Sequence, residues 1–465
     1  MMNESVNPKE RWTGARVVVM GLARSGVAAC LFLRRRGALV TGTDIRTADQ
    51  LGPAVEQLTR AGIPLSLGAY PNLSDLDALV LSPGVDPTQE VILKAGAGGV
   101  LILPELELGA GAIKGRLVCI TGTKGKSTTT MSLHAMLREG GFDARAVGNI
   151  GEPITAHVDD SDEHSIFVTE ASSFQLETTR AFRPDCAVFL NLFPDHLDRH
   201  PTFEAYAAAK ARIFANQTSQ DTAIVNAEDP AVLDLAARTL AQVIPFRPKS
   251  RVEVSDPGPV AYFEEGAAVF RNAAPSPLFK GADVLIPGSA LRANLLAAAT
   301  AAHHLGVPGH SIRQAVRAFR GVPHTFERLG EVSGVAYFND SKATTLDSVR
   351  VALESFERPV IVILGGRLKA GSFSSLREAV AKHARSVYAI GESRGQVREA
   401  LEDVLPVHEC HTLEEAVRRS HSEAKPGDTV LLSPGCSSFD MFRDYAERGD
   451  AFKRAFHDLS LQGAA

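Results

Sequence analysis

The chain has 465 residues, 45% of them hydrophobic, which is enough for two to four domains with buried cores. Its net charge of -5 and its pI of about 6.3 provide no basic field for nucleic acid or for an anionic membrane. The five cysteines lack C-x-x-C spacing and are expected to be reduced packing residues. The first residues include no apolar stretch, and no apolar run approaches the roughly 20 residues of a membrane helix. A cytoplasmic protein without membrane insertion is therefore predicted.

The first predicted elements are a strand, a glycine turn and a helix. After the apolar strand from Arg16, the positions of a G-x-G/A-x-x-G turn are filled by Gly21, Ala23 and Gly26. Asp44 ends the second strand about 20 residues further along. This pattern is typical of a βαβ unit that binds a nucleotide diphosphate. Taken alone, it also fits a dinucleotide-dependent oxidoreductase.

A second segment, expected to begin near residue 105, carries the strongest motif. An apolar strand runs into Gly-Thr-Lys-Gly-Lys-Ser-Thr at residues 122–128 and then into a helix. Such a loop directs backbone N–H groups and a helix N-terminus at phosphate, while Lys126 supplies charge and Ser127 can ligate Mg²⁺. Because position 120 is isoleucine, the match is to the shorter pattern G-x-x-G-K-S. The segment is predicted to bind a nucleoside triphosphate, the alternative being a loop that only caps a helix.

Polar residues that could hold a metal follow the next strands. Glu170 directly follows an apolar strand, so its carboxylate is expected near the phosphate loop as a Mg²⁺ ligand. Its alternative role is that of a helix N-cap. His196 follows the next strand and could ligate a metal or only bond locally. Lys210 stands in an alanine-rich helix, and periodicity alone predicts a solvated lysine there.

A third segment is expected to begin at Val322 and again alternates strands with helices. Ligands collect at the carboxyl ends of parallel strands. Here those ends carry Asn339-Asp340, Gly365-Gly366, Gly391-Glu392 and the run 433–438. The predicted domains are residues 1–104, 105–321 and 322–465.

Seven segments, in one order within residues 16–456, resemble motifs of the Mur ligase family: TGTKGKST, AVGNIGEPI, EASSFQLETT, DHLDRH, NDSKATT, GGRLK and SPGCSSFDMF. The resemblance implies three consecutive α/β domains: a Rossmann-like N-terminal domain, a P-loop-type central ATPase domain and a Rossmann-like C-terminal domain. It implies ATP-dependent ligation of D-glutamate to UDP-N-acetylmuramoyl-L-alanine through an acyl phosphate, a cytoplasmic step of peptidoglycan synthesis. Two Mg²⁺ ions, a carboxylated lysine and a monomeric enzyme are expected.

The resemblance also implies roles for individual residues. The UDP-substrate site is predicted at Arg24, Ser25, Asp44, Arg46, Ser82 and Asn149. The ATP site is predicted at Gly122, Thr123, Lys124, Gly125, Lys126, Ser127, Thr128, Asn294 and Asp340. The metals are assigned to Ser127, Glu170, His196 and Lys210, where Lys210 matches the lysine that the family carboxylates. Lys126, His196 and Lys210 are the expected catalytic residues. The glutamate pocket is predicted at Lys342, Thr344, Lys369, Ser438 and Phe439.

The chain departs from the family pattern at two sites. Where the family has G-x-H-N-x-x-N, residues 288–294 include Ala290 and Leu291, and only Asn294 matches. Thr325 stands where the family has an arginine, and Arg328 is a candidate to reach the same phosphate. Three alternatives stay open: a ligase for L-glutamate or another amino acid, a nucleotide-binding oxidoreductase, and an inactive binding protein.

Overall fold

The computed structural model describes residues 12–249 and 258–462. The first ten residues, on which the expectation of no apolar leader was based, lie outside the described residues. The chain divides into two compact units. One comprises the described residues up to Gly281 together with Ala293–Val316, and the other comprises Ala282–Arg292 together with the described residues from Arg317 onward.

The N-terminal region is a parallel sheet with strand order β3-β2-β1-β4-β5. Its elements are β1 (Arg16–Met20), α1 (Arg24–Arg35), β2 (Leu39–Asp44), α2 (Ala48–Leu51), α3 (Pro53–Arg60), β3 (Leu65–Leu67), β4 (Ala78–Leu81), α4 (Glu90–Ala97) and β5 (Leu101–Pro104). Helix α1 packs close to β1 because Gly26 has no side chain: a Cβ atom there would lie 1.8 Å from the Gly21 carbonyl oxygen. This close approach is the role of the third glycine in the predicted turn.

The middle region is built on a larger sheet with order β14-β13-β12-β11-β10-β9-β6-β8-β7. Its elements are α5 (Glu105–Ala110), β6 (Arg116–Thr121), α6 (Lys126–Glu139), β7 (Ala144–Gly148), β8 (Ile166–Glu170), α7 (Ser173–Leu176), β9 (Cys186–Phe189), α8 (Phe203–Ala211), β10 (Thr222–Asn226), α9 (Pro230–Ala236), β11 (Gln242–Arg247), β12 (Val260–Glu264), β13 (Ala267–Arg271), β14 (Pro275–Lys280), α10 (Ser289–His304) and α11 (Gly309–Ala318). The strands in the order β12-β11-β10-β9-β6-β8-β7 pair in parallel, as expected. An antiparallel extension, β12-β13-β14, was not predicted.

The C-terminal region forms a third sheet with order β15-β16-β20-β17-β18-β19, in which the β15–β16 pair is antiparallel. Its elements are β15 (Glu327–Val332), β16 (Val335–Asn339), α12 (Leu346–Glu354), β17 (Val360–Gly365), α13 (Arg377–His383), β18 (Ala384–Ile390), α14 (Arg394–Leu401), β19 (Val407–Glu409), α15 (Leu413–Glu423), β20 (Thr429–Leu432) and α16 (Tyr445–Gln462). Every residue of β17 is buried, and successive side chains enter two hydrophobic clusters on opposite faces of the sheet. A strand buried on both faces reads as a continuous apolar run, which is why β17 was predictable.

The mixed α/β fold with three sheets is confirmed. All five cysteines are buried and free, as the spacing predicted. Helix α6 begins at Lys126, whereas the sequence predicts a start near Thr128. The described residues include no helix with the length and apolar content to cross a membrane. The boundaries near residues 104 and 321 stay predictions.

Candidate active site

The loop between β6 and α6 has two positions that only glycine fits. Gly122 and Gly125 have φ angles of 149° and 87°, which other residues rarely adopt. A Cβ atom on Gly125 would lie 2.2 Å from Asn294 Oδ1, and one on Gly122 would lie 3.0 Å from Leu190 Cβ. Asn294, the residue retained from the family motif, therefore lies directly against the loop.

Positive charge and N–H donors meet at the start of α6. The helix begins at Lys126 with Gly125 as its N-cap residue, and Ser127 and Thr128 lie in the first turn. Lys126 Nζ donates to the carbonyl oxygens of Gly122 and Thr123 at 3.0 and 2.9 Å. The first N–H groups of a helix lack intrahelical partners and carry its positive dipole end. This arrangement suits a phosphate group.

Asn191, which the sequence analysis did not select, fixes the shape of the loop. Its Oδ1 accepts hydrogen bonds from the backbone N–H groups of Thr123 and Lys124 at 3.1 and 2.9 Å. Its Nδ2 donates to the Lys124 carbonyl oxygen at 3.0 Å. Lys124 Nζ also contacts the Asp195 carboxylate at 3.2 Å. The sequence signal was the position of Asn191 just after β9, at the strand end beside the loop.

Glu170 offers one oxygen atom that suits a cation. Its side chain is buried, and Oε1 accepts a 2.6 Å hydrogen bond from Asn149 Nδ2. Oε2 is buried and has no hydrogen-bond partner among the described residues. Leaving a carboxylate oxygen unpaired costs free energy unless a ligand satisfies it. The capping role considered as an alternative belongs instead to Ser172, which accepts from Gln175 N.

The protein alone supplies few metal ligands. Across residues 12–249 and 258–462, no three His, Cys, Asp or Glu side chains are grouped closely enough to hold an ion. If Glu170 and His196 hold a metal, further ligands would have to come from Ser127, from nucleotide oxygens or from a modified Lys210. Mg²⁺ usually binds this way, through one or two carboxylates plus substrate phosphates. The donor set fits a nucleotide-bound Mg²⁺ and does not fit an all-protein cage.

Two histidines flank Phe174 with different exposure. His196 has a left-handed backbone, with φ of 53°, and its ring packs edge-on against Phe174 at 5.0 Å. About half of its side chain is exposed. His200, which was not selected from the sequence, is buried with Nε2 3.0 Å from Ser173 Oγ. Burial and nearby positive charges lower the pKa of His200, so it stays neutral. His196 is the more accessible of the two.

Lys210 is buried, contrary to the expectation from periodicity. Only 1% of its surface is exposed. Its Nζ donates to the Gly122 carbonyl oxygen at 2.8 Å and lies 4.9 Å from the centre of the Tyr206 ring. Burial first, and then the charge of Lys126, lower the pKa of Lys210 to about 7, while Asp195 and Glu170 oppose the shift. A large neutral fraction is therefore present near pH 7.

A cavity of about 550 Å³ lies at the carboxyl ends of β1, β2 and β4. All six residues predicted for the UDP substrate line it: Arg24, Ser25, Asp44, Arg46, Ser82 and Asn149. Tyr70, Gln89 and Gln175 also line the cavity and were missed by sequence reasoning. Their side chains come from loops and a short helix, so no periodic pattern marked them.

Asp44 is held as a carboxylate at the rim of this cavity. Its Oδ2 accepts from Leu22 N and Arg46 Nη2, both at 2.7 Å, and Oδ1 accepts from Arg46 N and Nε. Although burial acts to raise it, these hydrogen bonds lower the pKa of Asp44 to about 2. Each oxygen already accepts two bonds, its full capacity. A nucleotide hydroxyl must therefore displace Arg46 to reach this carboxylate.

The third sheet gathers the residues predicted for the amino acid. Because β16, β20 and β17 are neighbours, the loops after them share one edge of the sheet. These loops carry Lys342, Thr344, Lys369, Ser438 and Phe439. Lys342, Lys369 and Phe439 are exposed, and Ser438 is buried. Two exposed ammonium groups on neighbouring loops can attract a small molecule with carboxylates.

Asp340 lies at the same edge. Its Oδ1 accepts from Phe326 N and its Oδ2 accepts from Ser433 Oγ, each at 3.0 Å. Burial raises the pKa of Asp340 to about 7, against the effect of these bonds and of Lys342. The carboxyl group can therefore carry a proton near neutral pH, which the sequence did not indicate.

The residues at which the chain departs from the family motifs have well-defined neighbours. Thr325 Oγ1 is buried without a hydrogen-bond partner among the described residues, and its neighbours His324 and Phe326 both have positive φ angles. The Arg328 guanidinium forms an ion pair with Glu331. Leu291 packs against the hydrophobic core of the C-terminal unit. None of these contacts identifies a replacement for the missing family residues.

Comparison with known proteins gives the class. Family models match residues 15–103 (Mur ligase MurD-like, N-terminal domain), 120–302 (Mur ligase middle domain) and 325–436 (Mur ligase, glutamate ligase domain). The chain belongs to the Mur ligase family. Within it, the chain is 43% identical to a protein of Acidobacterium capsulatum, over 97% of this chain and 98% of that one. It is 41% identical to a protein of Solibacter usitatus, over 96% and 98%. Both relatives are named UDP-N-acetylmuramoylalanine–D-glutamate ligase.

Solved structures resemble the fold. One is UDP-N-acetylmuramate-alanine ligase from Thermotoga maritima, with a TM-score of 0.57, 18% identity and coverage of 96% of this chain and 99% of that one. Another is a pseudomurein peptide ligase type C from Methanothermus fervidus, with a TM-score of 0.54, 18% identity and coverage of 96% and 100%. At this identity the likeness concerns the fold alone.

Proposed function

We propose that the protein joins D-glutamate to UDP-N-acetylmuramoyl-L-alanine at the expense of ATP, in the cytoplasm and as a monomer. The observation that carries the proposal is one loop, in which Lys126 and Lys210 both donate to the Gly122 carbonyl oxygen. Glu170 lies opposite Ile120 on the neighbouring strand, and its Oε2 has no hydrogen-bond partner among the described residues. A relative that is 43% identical over 97% of this chain bears the name of that ligase.

The reaction is proposed to pass through an acyl phosphate. A carboxylate oxygen of the UDP substrate attacks the γ-phosphorus of ATP, and ADP leaves. The amino nitrogen of D-glutamate then attacks the acyl carbon, phosphate leaves with the C–O electron pair, and the nitrogen loses a proton. The start of α6 and Lys126 offset negative charge on the transferred phosphoryl group, which is the main task of a protein in such a transfer.

Magnesium is assigned to Ser127, Glu170 and His196, with Lys210 in carboxylated form. The bound metal supplies charge neutralisation at phosphate oxygens. Glu170 contributes its unpaired Oε2, and Asn149 orients the carboxylate through Oε1. His196 is the histidine of its pair that solvent can reach. That two ions bind is part of the proposal.

Carboxylation of Lys210 is proposed on the state of its amine. The ammonium group first loses a proton to become a neutral amine. The amine nitrogen then attacks CO₂, an N–C bond forms and a second proton is released, so a cation becomes an anion. Burial and the charge of Lys126 supply neutral amine by lowering the pKa of Lys210 to about 7. A carbamate at this place would add anionic oxygens near Glu170, where the metal needs them.

Two rivals are less well supported. An oxidoreductase would use the same cavity at β1, β2 and β4, but the family models that match residues 15–103, 120–302 and 325–436 are all Mur ligase models. A ligase for L-glutamate would use the same exposed lysines, Lys342 and Lys369, and differs only in the chirality of the pocket. That rival is separated by comparing the two enantiomers as substrates.

The Lys126→Ala variant tests the ATP assignment. We expect phosphate release to fall at least about a hundredfold, because one charged contact to the transferring group is lost. UDP binding, measured by calorimetry, should stay within about twofold of wild type, because Lys126 does not line the UDP cavity. Lys114→Ala, at a lysine outside both sites, is the matched control. If phosphate release were undiminished in Lys126→Ala, the loop that carries Lys126 would have no role in phosphoryl transfer.

A further inference from the structure

Arg448 is a buried cation that the proposed reaction has not used. It lies in α16, and 1% of its surface is exposed. Nε donates to Ser341 Oγ at 2.9 Å, and Nη2 donates to the carbonyl oxygens of Ser341 and Cys436 at 2.7 and 3.1 Å. The guanidinium group therefore joins the loop after β16 to the loop after β20.

The loop after β17 meets the same group. A Cβ atom on Gly366 would lie 3.3 Å from Arg448 Nη1 and 2.5 Å from the Ser437 carbonyl oxygen. This loop is also tied to the loop after β20, because Arg367 and Ser437 exchange two backbone hydrogen bonds of 2.9 and 3.0 Å. Three loops from three neighbouring strands thus converge on one planar cation.

Those three loops carry every residue assigned to the amino acid. Lys342 and Thr344 follow Ser341, Lys369 follows Gly366, and Ser438 and Phe439 follow Cys436. None of these five residues has a hydrogen bond to Arg448 among the described contacts. Arg448 can therefore act on the amino acid only through the positions of the loops.

The burial of Arg448 is costly. Nη1 is buried without a hydrogen-bond partner among the described residues. Burying a charged group costs free energy unless hydrogen bonds repay it, and here one nitrogen of the group is not repaid. Its rigid fork, however, can hold several carbonyl and hydroxyl oxygens at fixed relative positions.

We propose that Arg448 is a positioning residue that sets the spacing of the three loops, and thereby the affinity for an amino acid bearing two carboxylates. This inference rests on the proposed function, because the amino-acid pocket is assigned there. Because Arg448 is buried, it acts through the loops and not by touching a substrate. A lysine cannot replace it, since one ammonium group cannot span Ser341, Cys436 and Gly366.

The test compares Arg448→Lys and Arg448→Met with wild type. We expect the KM for D-glutamate to rise about tenfold or more in both variants, while the KM for ATP stays within about twofold. The milder variant Ser341→Ala removes one acceptor and should raise the same KM by a smaller factor. It keeps the test decisive if the arginine variants fail to fold, as judged by circular dichroism.

Arg385→Met is the matched control. Arg385 lies at the start of β18, at the end of the sheet opposite to the three loops. It forms an ion pair with Asp428 and donates to the Glu423 carbonyl oxygen. Its loss should lower thermal stability without changing the KM for D-glutamate. The positioning role would be overturned if the KM for D-glutamate, relative to the KM for ATP, were unchanged in Arg448→Lys and Ser341→Ala. It would also be overturned if the KM for D-glutamate rose equally in Arg385→Met.

The activity of the wild-type protein distinguishes a failure of this inference from a failure of the proposed function. If wild type does not use D-glutamate, the proposed function fails, and the KM for the amino acid it does use is compared between the same variants. A selective rise would then still support Arg448, and its absence would still contradict the role.

Discussion

At the scale of residues, the buried amine of Lys210 lowers the stability of the fold near neutral pH. The pKa of Lys210 in the folded protein, about 7, lies below the ordinary lysine value of 10.5, so between these values the unfolded chain binds more protons. Stability contributed by this residue therefore rises as pH increases from about 7 to about 10.5, and is lost as pH falls through that window. A buried amine that costs stability is expected where function requires it.

The stability prediction uses Lys210→Met. In bicarbonate-free buffer, the variant should be more stable than wild type by about 2 kcal/mol or more at pH 7, because no buried amine must lose its proton. The difference should shrink towards pH 10. Denaturant unfolding at several pH values measures it. A difference that does not vary with pH would show that the amine of Lys210 titrates as a solvated one.

The activity prediction uses Lys210→Ala. The variant should lose nearly all phosphate release and regain part of it with added short-chain carboxylic acids, which can supply the missing anionic oxygens. Labelling wild type with ¹³C-bicarbonate should give a carbamate signal in the NMR spectrum, and the variant should lack it. High activity of Lys210→Ala in assays without bicarbonate or carboxylic acids would contradict the carbamate.

At the scale of elements, α16 carries a glycine in its interior for a visible reason. A Cβ atom on Gly449 would lie 2.1 Å from His324 Nδ1. Glycine costs a helix interior about 0.5–1 kcal/mol relative to alanine. The helix therefore accepts a weaker intrinsic propensity so that the His324 ring can lie against its backbone, next to Arg448.

Gly449→Ala tests this contact. The added methyl group should destabilise the protein by about 1–3 kcal/mol, because overpacking outweighs the gain in helix propensity. Gly395→Ala is the matched control in α14, where an added Cβ meets nothing within 4 Å. It should stabilise by up to about 1 kcal/mol. Equal effects of the two substitutions on the unfolding free energy would refute the role of His324.

Elements with strong periodic patterns were predictable, and isolated side chains were less so. The buried parallel strands and their polar carboxyl ends followed from apolar runs such as β17. The hairpin β12-β13 was missed, although Glu265-Gly266, both with positive φ, separate two apolar runs there. The burial of Lys210 and Arg448 could not be predicted, because a charged residue on a helix normally faces solvent and only tertiary packing decides otherwise.

Of the candidate site, the sequence predicted motifs better than supporting residues. The glycines, Lys126 and Glu170 were found through strand–loop–helix order. Asn191, which holds the loop, and Tyr70, which lines the UDP cavity, were missed because each acts across a large sequence separation. Their roles depend on which strand ends become neighbours, and local sequence patterns do not determine the order of strands in a sheet.

At the scale of the molecule, the first two sheets belong to one compact unit. Arg24 donates to the Gly151 carbonyl oxygen at 3.0 Å, and Arg35 forms an ion pair with Asp159, so the N-terminal helix α1 contacts the middle region. The cavity that we propose for UDP correspondingly includes Asn149 of the middle region. A substrate in this cavity can therefore reach residues next to Glu170.

Calorimetry tests the assignment of ligands to units. Unfolding should deviate from two-state behaviour, since the chain has two compact units. UDP at about a hundred times its Kd should stabilise the unit that contains the cavity by about 2.7 kcal/mol. D-glutamate should instead shift the transition of the C-terminal unit. Equal shifts of every transition with both ligands would contradict the assignment.

Ligation is tested most directly by phosphate release from ATP and Mg²⁺ in the presence of UDP-N-acetylmuramoyl-L-alanine, with D-glutamate, with L-glutamate or with no amino acid. We expect phosphate release that depends on both the UDP substrate and D-glutamate, with a product whose mass equals the two joined with loss of water. Release with L-glutamate should be far slower. Phosphate release that ignores the amino acid, or that prefers the L-enantiomer, would contradict the central claim.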